Sequence, residues 1–435
     1  MKKWVLILFL ASLMNLLYAQ EKRTLDVQEA IGIAMKNNVR VLTAENTYNS
    51  TVANVLPKTW GNNLPTISAN ARWSRADEAS QIATSEGFKK SANSYSYSLN
   101  ADYIVFDGLK KFNGMAQARY DETSAQFDFE NTKQSVVLDV YLAYFNVLKN
   151  QQLLKISEEN LKRSQEQLKR LEERNKLGAQ ILSDVYKQKV LVGSDKLALN
   201  KAKNNLNTSK ASLSNLIGID VNTNVELKEI SLEVAFEADK MNYENAYAQA
   251  LEQRKDYLAA EKKLSSAKAS LRSSRGGYFP TLNAFATYSW GDVFLPKFGS
   301  NDYRANDRVN MGFNLSVPIF NGFQTSAGVV QADQSVQTSK TNLENTRRKI
   351  GLDVKIALLN LQTSYENVKL SEENVASAKE DLRLATEKYN LGAGTILDQI
   401  IANTNYATAE ANYIQSVYDF LYAKQQYNLA LGDIK

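Results

Sequence analysis

Shifted against itself by 214 residues, the chain repeatedly meets its own sequence. Ser157-Glu158-Glu159-Asn160 falls on Ser371-Glu372-Glu373-Asn374, and Leu138-Asp139-Val140 on Leu352-Asp353-Val354. Leu177-Gly178-Ala179 falls on Leu391-Gly392-Ala393, and Phe106-Asp107-Gly108 on Phe320-Asn321-Gly322. One residue further along, Leu64-Pro65-Thr66 meets Phe279-Pro280-Thr281. Matches that keep their order through both halves predict a tandem structural repeat. The expected division is a first repeat over 20–218, a linker over 219–242 and a second repeat over 243–435.

Each half opens with two helical stretches, Leu25 to Asn38 and Val39 to Val55 in the first. A Pro-bounded stretch of period-two alternation follows, then a polar loop, a second alternating stretch and a long helical pattern broken once by glycine. The alternation predicts strands near 66–74, 94–106, 281–290 and 308–318. Tyr95, Tyr97, Leu99, Ala101 and Tyr103 share one face, and Ser96, Ser98, Asn100 and Asp102 the other. Val309, Met311, Phe313, Leu315 and Val317 oppose Asn310, Gly312, Asn314 and Ser316, while Phe285 interrupts the polar face of the third stretch. At roughly 9–11 residues each, these stretches suit tilted strands crossing a bilayer, with Tyr and Trp near the ends. A soluble sandwich would alternate in the same way. Four strands cannot close a barrel alone, and lipid does not tolerate an open sheet edge. If these strands span a membrane, several chains must share one barrel.

From Leu109 to Lys176 there is no Pro, and Gly114 is the one Gly. A continuous helix of roughly 68 residues would be about 100 Å long. Leu154, Leu161 and Leu168 recur every seven residues, as do Val375, Leu382 and Tyr389 in the second half. That spacing marks a coiled-coil seam, which a plain coiled-coil rod would also carry.

Composition removes most chemistry. With no Cys and no His there is no thiolate nucleophile, imidazole base, zinc cage or Ser-His-Asp triad. No catalytic or metal residues and no cofactor are expected. A net charge of +5, two of it from Lys2 and Lys3, is no nucleic-acid footprint. Mean hydropathy of −0.39 excludes a polytopic helical membrane protein. The apolar run Trp4 to Leu17, followed by Ala19, predicts a secretory signal peptide over 1–19 and export of the mature chain.

Leu25-Asp26-Val27-Gln28-Glu29-Ala30 with Ala34 and Asn38, then Arg254-Lys255-Asp256 and Pro280-Thr281-Leu282, complete the pattern. Together with the repeat, the strand pairs and the glycine-hinged coiled coils, it resembles the TolC family of outer-membrane efflux proteins over the whole mature chain. The resemblance implies a mainly α fold with β: a homotrimer in which four strands per chain build a 12-stranded transmembrane β-barrel. That barrel is continuous with an α-helical barrel of long coiled-coil hairpins in the periplasm of a Gram-negative bacterium. It further implies a passive exit duct for efflux or type I secretion, embedded in outer-membrane lipid. The duct would be driven by an inner-membrane transporter through a periplasmic adaptor, with the pump choosing the substrate. The family's C-terminal extension is not expected after Lys435, so the belt around the tube would rest largely on 219–241.

The turns between the paired helices read Lys176-Leu177-Gly178-Ala179-Gln180-Ile181-Leu182-Ser183-Asp184-Val185 and Asn390-Leu391-Gly392-Ala393-Gly394-Thr395-Ile396-Leu397-Asp398-Gln399. Gly permits the φ > 0 that ends one helix, and Ser or Thr helps start the next. A bare connection needs nothing more. By resemblance, Leu177, Gly178, Ala179, Leu391, Gly392 and Ala393 form the tip that docks the adaptor. Asp184 and Asp398 occupy equivalent places and, in a trimer, would ring the aperture with six carboxylates, though each could equally cap its helix. Ser183, Asp184 and Tyr389 match positions of a family aperture lock, whose Arg is Gly394 here and whose second acid is Ile401. Ser74 to Ala92 and Gly291 to Asp307 are expected as external loops. Glu158-Glu159 and Lys201 to Lys203 read as solvated faces.

Three rival readings are a secreted structural coiled coil, the adaptor itself, and an enzyme on a helical scaffold. The uncovered apolar rows oppose the first, the duplicated hairpin the second, and the missing His and Cys the third.

Overall fold

The computed structural model describes residues 23–84, 87–223, 225–230, 242–292 and 307–434, with backbone alone at 23, 78–84, 87–92 and 292. The expected leader 1–19, most of the second external loop and residues 231–241 of the linker lie outside these residues.

In chain order the elements are β1 Arg23–Leu25, α1 Val27–Asn37, α2 Val39–Thr59, β2 Thr66–Thr84, β3 Gly87–Phe106, α3 Lys110–Lys176 and α4 Leu182–Ile217. After β4 Val225–Leu227 come α5 Tyr243–Gln253, α6 Lys255–Arg275, β5 Thr281–Asp292, β6 Asp307–Ser316, α7 Gln324–Asn390 and α8 Ile396–Leu431. Helix lengths recur: α3 and α7 have 67 residues each, and α4 and α8 have 36. The chain forms two compact units.

The first unit takes the described parts of Met1–Glu45, Phe129–Lys255 and Arg347–Lys435. Ala30, Ile31 and Ala34 of α1 lie one helical turn apart and bury against Val136, Val140, Tyr144 and Val147 of α3. Leu213 and Ile217 of α4 and Tyr418 of α8 complete this core. The linker contributes β4, which pairs in parallel with β1, Arg23 opposite Val225 and Leu25 opposite Leu227. The Tyr144 hydroxyl holds both strands, shared between the Leu25 carbonyl at 2.9 Å and the Lys228 carbonyl at 2.8 Å. Burial pushes its pKa up to about 12. In each half an Arg–Asp pair fastens the short helices to a long one: Arg40 to Asp139 at 2.5 Å and Arg254 to Asp353 at 3.0 Å.

The second unit takes Asn46–Asp128 and Asp256–Thr346. Its four strands form one antiparallel sheet in the order β2-β3-β5-β6. The two strand pairs are joined through β3 and β5. Ala69, Leu99, Tyr288 and Val309 form one cross-strand row, and Ser68, Asn100, Thr287 and Asn310 the next. The rows alternate because side chains alternate along every strand. The apolar face is uncovered: Ile67, Met311, Phe313 and Leu315 are exposed, Phe313 by 74 %. Phe285 sits on the polar face because its cross-strand partner is Gly312, where a Cβ would stand 3.2 Å from the Phe285 ring.

One expectation is corrected here. The stretch 74–92 was expected as a loop, but β2 runs to Thr84 and β3 starts at Gly87, their pairing shifted between Arg75 and Ser80. Apolar alternation fades past Ser74, yet the ladder bonds belong to the backbone and need no apolar face. At the other end, β6 runs over Asp307–Ser316, within two residues of its expected span.

The turn after β3 touches the 3-10 turn before β5 through two glycines. A Cβ on Gly108 would lie 2.3 Å from the Gly276 carbonyl oxygen, and one on Gly276 2.6 Å from that of Gly108. Their counterparts in the other halves, Gly322 after β6 and Gly61 before β2, face open space. Among the described residues nothing lies within 4 Å of a Cβ on Gly322, and near Gly61 there is Pro57 Cβ at 3.8 Å.

Candidate functional site at the hairpin turns

Both hairpin turns lie in the first unit and end their helices identically. Gly178 and Gly392 take φ of +74° and +76°, left-handed backbone that glycine adopts without a Cβ penalty. The following residues bond back across the last turn, Ala179 N to Arg174 O and Ala393 N to Lys388 O, both at 2.9 Å. This is the Schellman arrangement, which satisfies the orphan carbonyls of a helix end. It also turns the preceding leucines outward: Leu177 is 82 % and Leu391 83 % exposed.

The helix starts differ. Thr395 and Asp398 form a reciprocal capping box: Asp398 N donates to Thr395 Oγ1 at 3.2 Å, and Thr395 N to Asp398 Oδ2 at 3.0 Å. The Thr395 hydroxyl also donates to that carboxylate at 2.7 Å. These bonds, the hydroxyl's first, hold the Asp398 carboxyl below its usual range. Asp398 is exposed. Asp184 is 8 % exposed and caps nothing. It accepts from Gln180 Nε2 and lies 3.4 Å from Lys187 Nζ. The two aspartates thus hold equivalent places, each the third residue of its helix, but differ in burial and in partners.

Gln180 joins the two turns. Its amide oxygen accepts from Tyr389 Oη at 3.1 Å while its NH2 serves Asp184, and its backbone carbonyl accepts from Asn175 Nδ2 at 2.6 Å. Tyr389 and Asp184 are thus brought together through an intermediary, and Ser183 lies exposed beside them. Burial first, and then the Asp184 charge, raise the Tyr389 pKa. Above the network, Leu171, Val185 and Ile396 form a small buried core with Leu168, Tyr389 and Ile400 packed on it. Sequence reasoning missed Gln180, although a signal existed: the 214-residue shift places it on Gly394, the position flagged for a missing Arg.

Further up, amides stitch the helices together. Gln188 donates to Ser164 O at 2.9 Å, Gln167 to Gln399 at 3.0 Å, and Gln399 to Thr386 at 3.2 Å. They border a pocket of about 170 Å³ lined also by Arg163 and Arg170. Such groups hold helices in place; none is an activated nucleophile. Among the described residues no cluster of three His, Cys, Asp or Glu is placed for a metal ion, and no helix is long and apolar enough to cross a membrane.

Comparison with known proteins points one way. The family model described as outer membrane efflux protein matches residues 61–219 and 246–433. The outer membrane efflux protein BepC of Brucella suis is 22 % identical over 412 residues, 91 % of this chain and 88 % of that protein. The outer membrane protein TolC of Escherichia coli is 25 % identical over 355 residues, 79 % of this chain and 70 % of that one. Among solved structures, the outer membrane protein VceC of Vibrio cholerae superposes with a TM-score of 0.79 at 16 % identity, covering 93 % of this chain and 96 % of that one.

Proposed function

Since the chain belongs to the outer membrane efflux protein family, we propose that it is a passive exit duct built by three copies. Four strands from each copy close one 12-stranded barrel in the outer membrane. The paired helices continue as a tube across the periplasm, where an adaptor couples them to an inner-membrane transporter for efflux or type I secretion.

The observation that carries this reading is the contrast between two glycine pairs. Within the chain, Gly108 and Gly276 are pressed together where β3 joins β5. Gly322 and Gly61, which flank the free strands β6 and β2, stand open. Joining β6 of one copy to β2 of the next, as β3 joins β5, fills that space and removes both edges, which lipid requires. The exposed row Ile67, Met311, Phe313 and Leu315 then faces lipid, and Ser68, Asn100, Thr287 and Asn310 face the bore.

At the far end, Leu177-Gly178-Ala179 and Leu391-Gly392-Ala393 form the adaptor-docking tip; two leucines this exposed call for a partner. Tyr389, through Gln180, and Asp184 latch the two turns to one another, with Ser183 at the rim. The Asp398 carboxylate, charged at neutral pH, supplies the ring that favours cations at the aperture. The duct performs no reaction; its selectivity is steric and electrostatic.

The deciding measurement is the native mass of protein extracted in detergent from the outer-membrane fraction. A trimer is expected. A monomer or dimer in the soluble fraction overturns the shared barrel.

A further inference from the structure

The amide bonds run through the hairpin helices in series: α4 to α3 by Gln188 and Ser164, α3 to α8 by Gln167 and Gln399, α8 to α7 by Gln399 and Thr386. That leaves α4 and α7 as the outer members. Each carries a second, solvent-facing seam: Tyr186, Val190 and Leu197 on α4, and Leu370 and Leu384 on α7, all exposed.

The charges along these seams are opposite and evenly spaced. Helix α4 has six lysines against two aspartates, and Lys189, Lys196, Lys203 and Lys210 recur every seven residues. On α7, Glu366, Glu373, Glu380 and Glu387 recur at the same spacing, within a stretch holding six acids and three bases. Lys189 is engaged by Glu172 at 3.1 Å, and Glu380 and Glu387 by Arg383 at 2.6 and 2.5 Å. Lys196, Lys203, Glu366 and Glu373 are exposed and make no ion pair among the described residues.

Height above the turns matches them. Lys196 and Lys203 stand 18 and 25 residues beyond Gly178, and Glu373 and Glu366 stand 19 and 26 before Gly392. The antiparallel contact already present within the chain, α3 against α8, keeps a similar level. Arg163, 15 residues before Gly178, meets Glu410, 18 beyond Gly392, at 3.7 Å. The 214-residue shift carries Glu410 onto Lys196 and Arg163 onto Ser377, one turn from Glu373. The same kind of contact recurs with its polarity reversed.

We propose that a second copy of this chain lays its α7 on α4 of the first, with Glu373 against Lys196 and Glu366 against Lys203. The inference rests on the reading of the chain as a duct shared between copies. Each exposed pair adds little affinity. What the ladder sets is neighbour and register: lysines on α4 accept the acidic α7 of the next copy and repel the Arg163 and Arg170 side of α3.

The cysteine-free chain makes the test clean. Full-length protein with Lys196→Cys and Glu373→Cys, treated in outer membranes with a short bis-maleimide, is expected to yield covalent dimers and trimers. Lys196→Cys with Glu387→Cys, displaced by 14 residues or about 21 Å, is expected to yield almost none. Equal or stronger linking of the displaced pair overturns the ladder. Lys196→Glu with Lys203→Glu should cost most of the trimer's resistance to SDS, and adding Glu366→Lys with Glu373→Lys should restore it. Unaltered resistance also overturns the ladder. If the unsubstituted chain is itself a trimer, either failure removes the ladder alone; if it is not, the duct falls and the ladder with it.

Discussion

Tyr389 Oη donates a 3.1 Å hydrogen bond to Gln180 Oε1, so the last turn of α7 is tied to the turn that follows α3. The tie runs on from Gln180 to the buried Asp184. Gln180→Ala removes both links and should cost about 1 kcal/mol of local stability. Read as a latch, the change should raise single-channel conductance in planar bilayers, and Asp184→Ala should do the same. Unchanged conductance in both variants refutes the latch.

The charge at the aperture is expected to reside on Asp398. Asp398→Ala should lessen block by multivalent cations and leave the conductance of the unblocked channel nearly unchanged. Block that persists in full would assign the ring elsewhere.

The capping box makes α8 sensitive to acid. The Asp398 carboxyl is held below its usual range by the Thr395 hydroxyl. A folded-state pKa below the unfolded value of about 3.9 adds stability above that pH, and this is lost as pH falls through the folded pKa. Thr395→Ala should therefore lower stability near neutral pH, where the capping bonds are complete. In thermal unfolding, the gap between variant and parent should shrink below about pH 4.

At the tip, Leu177→Asp with Leu391→Asp should leave the trimer intact, because both side chains are exposed and support no packing in the chain. Cross-linking to a periplasmic adaptor should be lost. Retained cross-linking would place the docking surface elsewhere.

Gly61→Val tests the barrel seam, since among the described residues a Cβ there meets only Pro57 Cβ, at 3.8 Å. Trimers in detergent should fall several-fold while secondary structure by circular dichroism stays unchanged. In the first unit, Tyr144→Phe should cost about 1–3 kcal/mol, as the buried Leu25 carbonyl and the Lys228 carbonyl lose their shared donor. Hydrogen exchange should then accelerate at β1 and β4 first.

Much of this architecture was written along the chain. Seven-residue spacing and the absence of Pro announced α3 and α7, and glycine followed by Ala marked both turns, because backbone conformation there depends on near neighbours. Alternation located the strands only where one face is apolar. Past Ser74 the ladder continues on backbone bonds that leave no trace in side-chain pattern. The repeat also suggested a symmetry that folding broke. Asp184 and Asp398 match in sequence, yet one is buried under Gln180 and Lys187 while the other caps a helix in the open. That difference traces to two positions: Gln180 in the first turn against Gly394 in the second, and Ile181, which has no hydroxyl to cap with, against Thr395. Sequence by itself determined the elements, their duplication and the chemistry that is absent. Tertiary structure decided which copies of each element stay uncovered, because burial and hydrogen-bond partners depend on what lies across the fold.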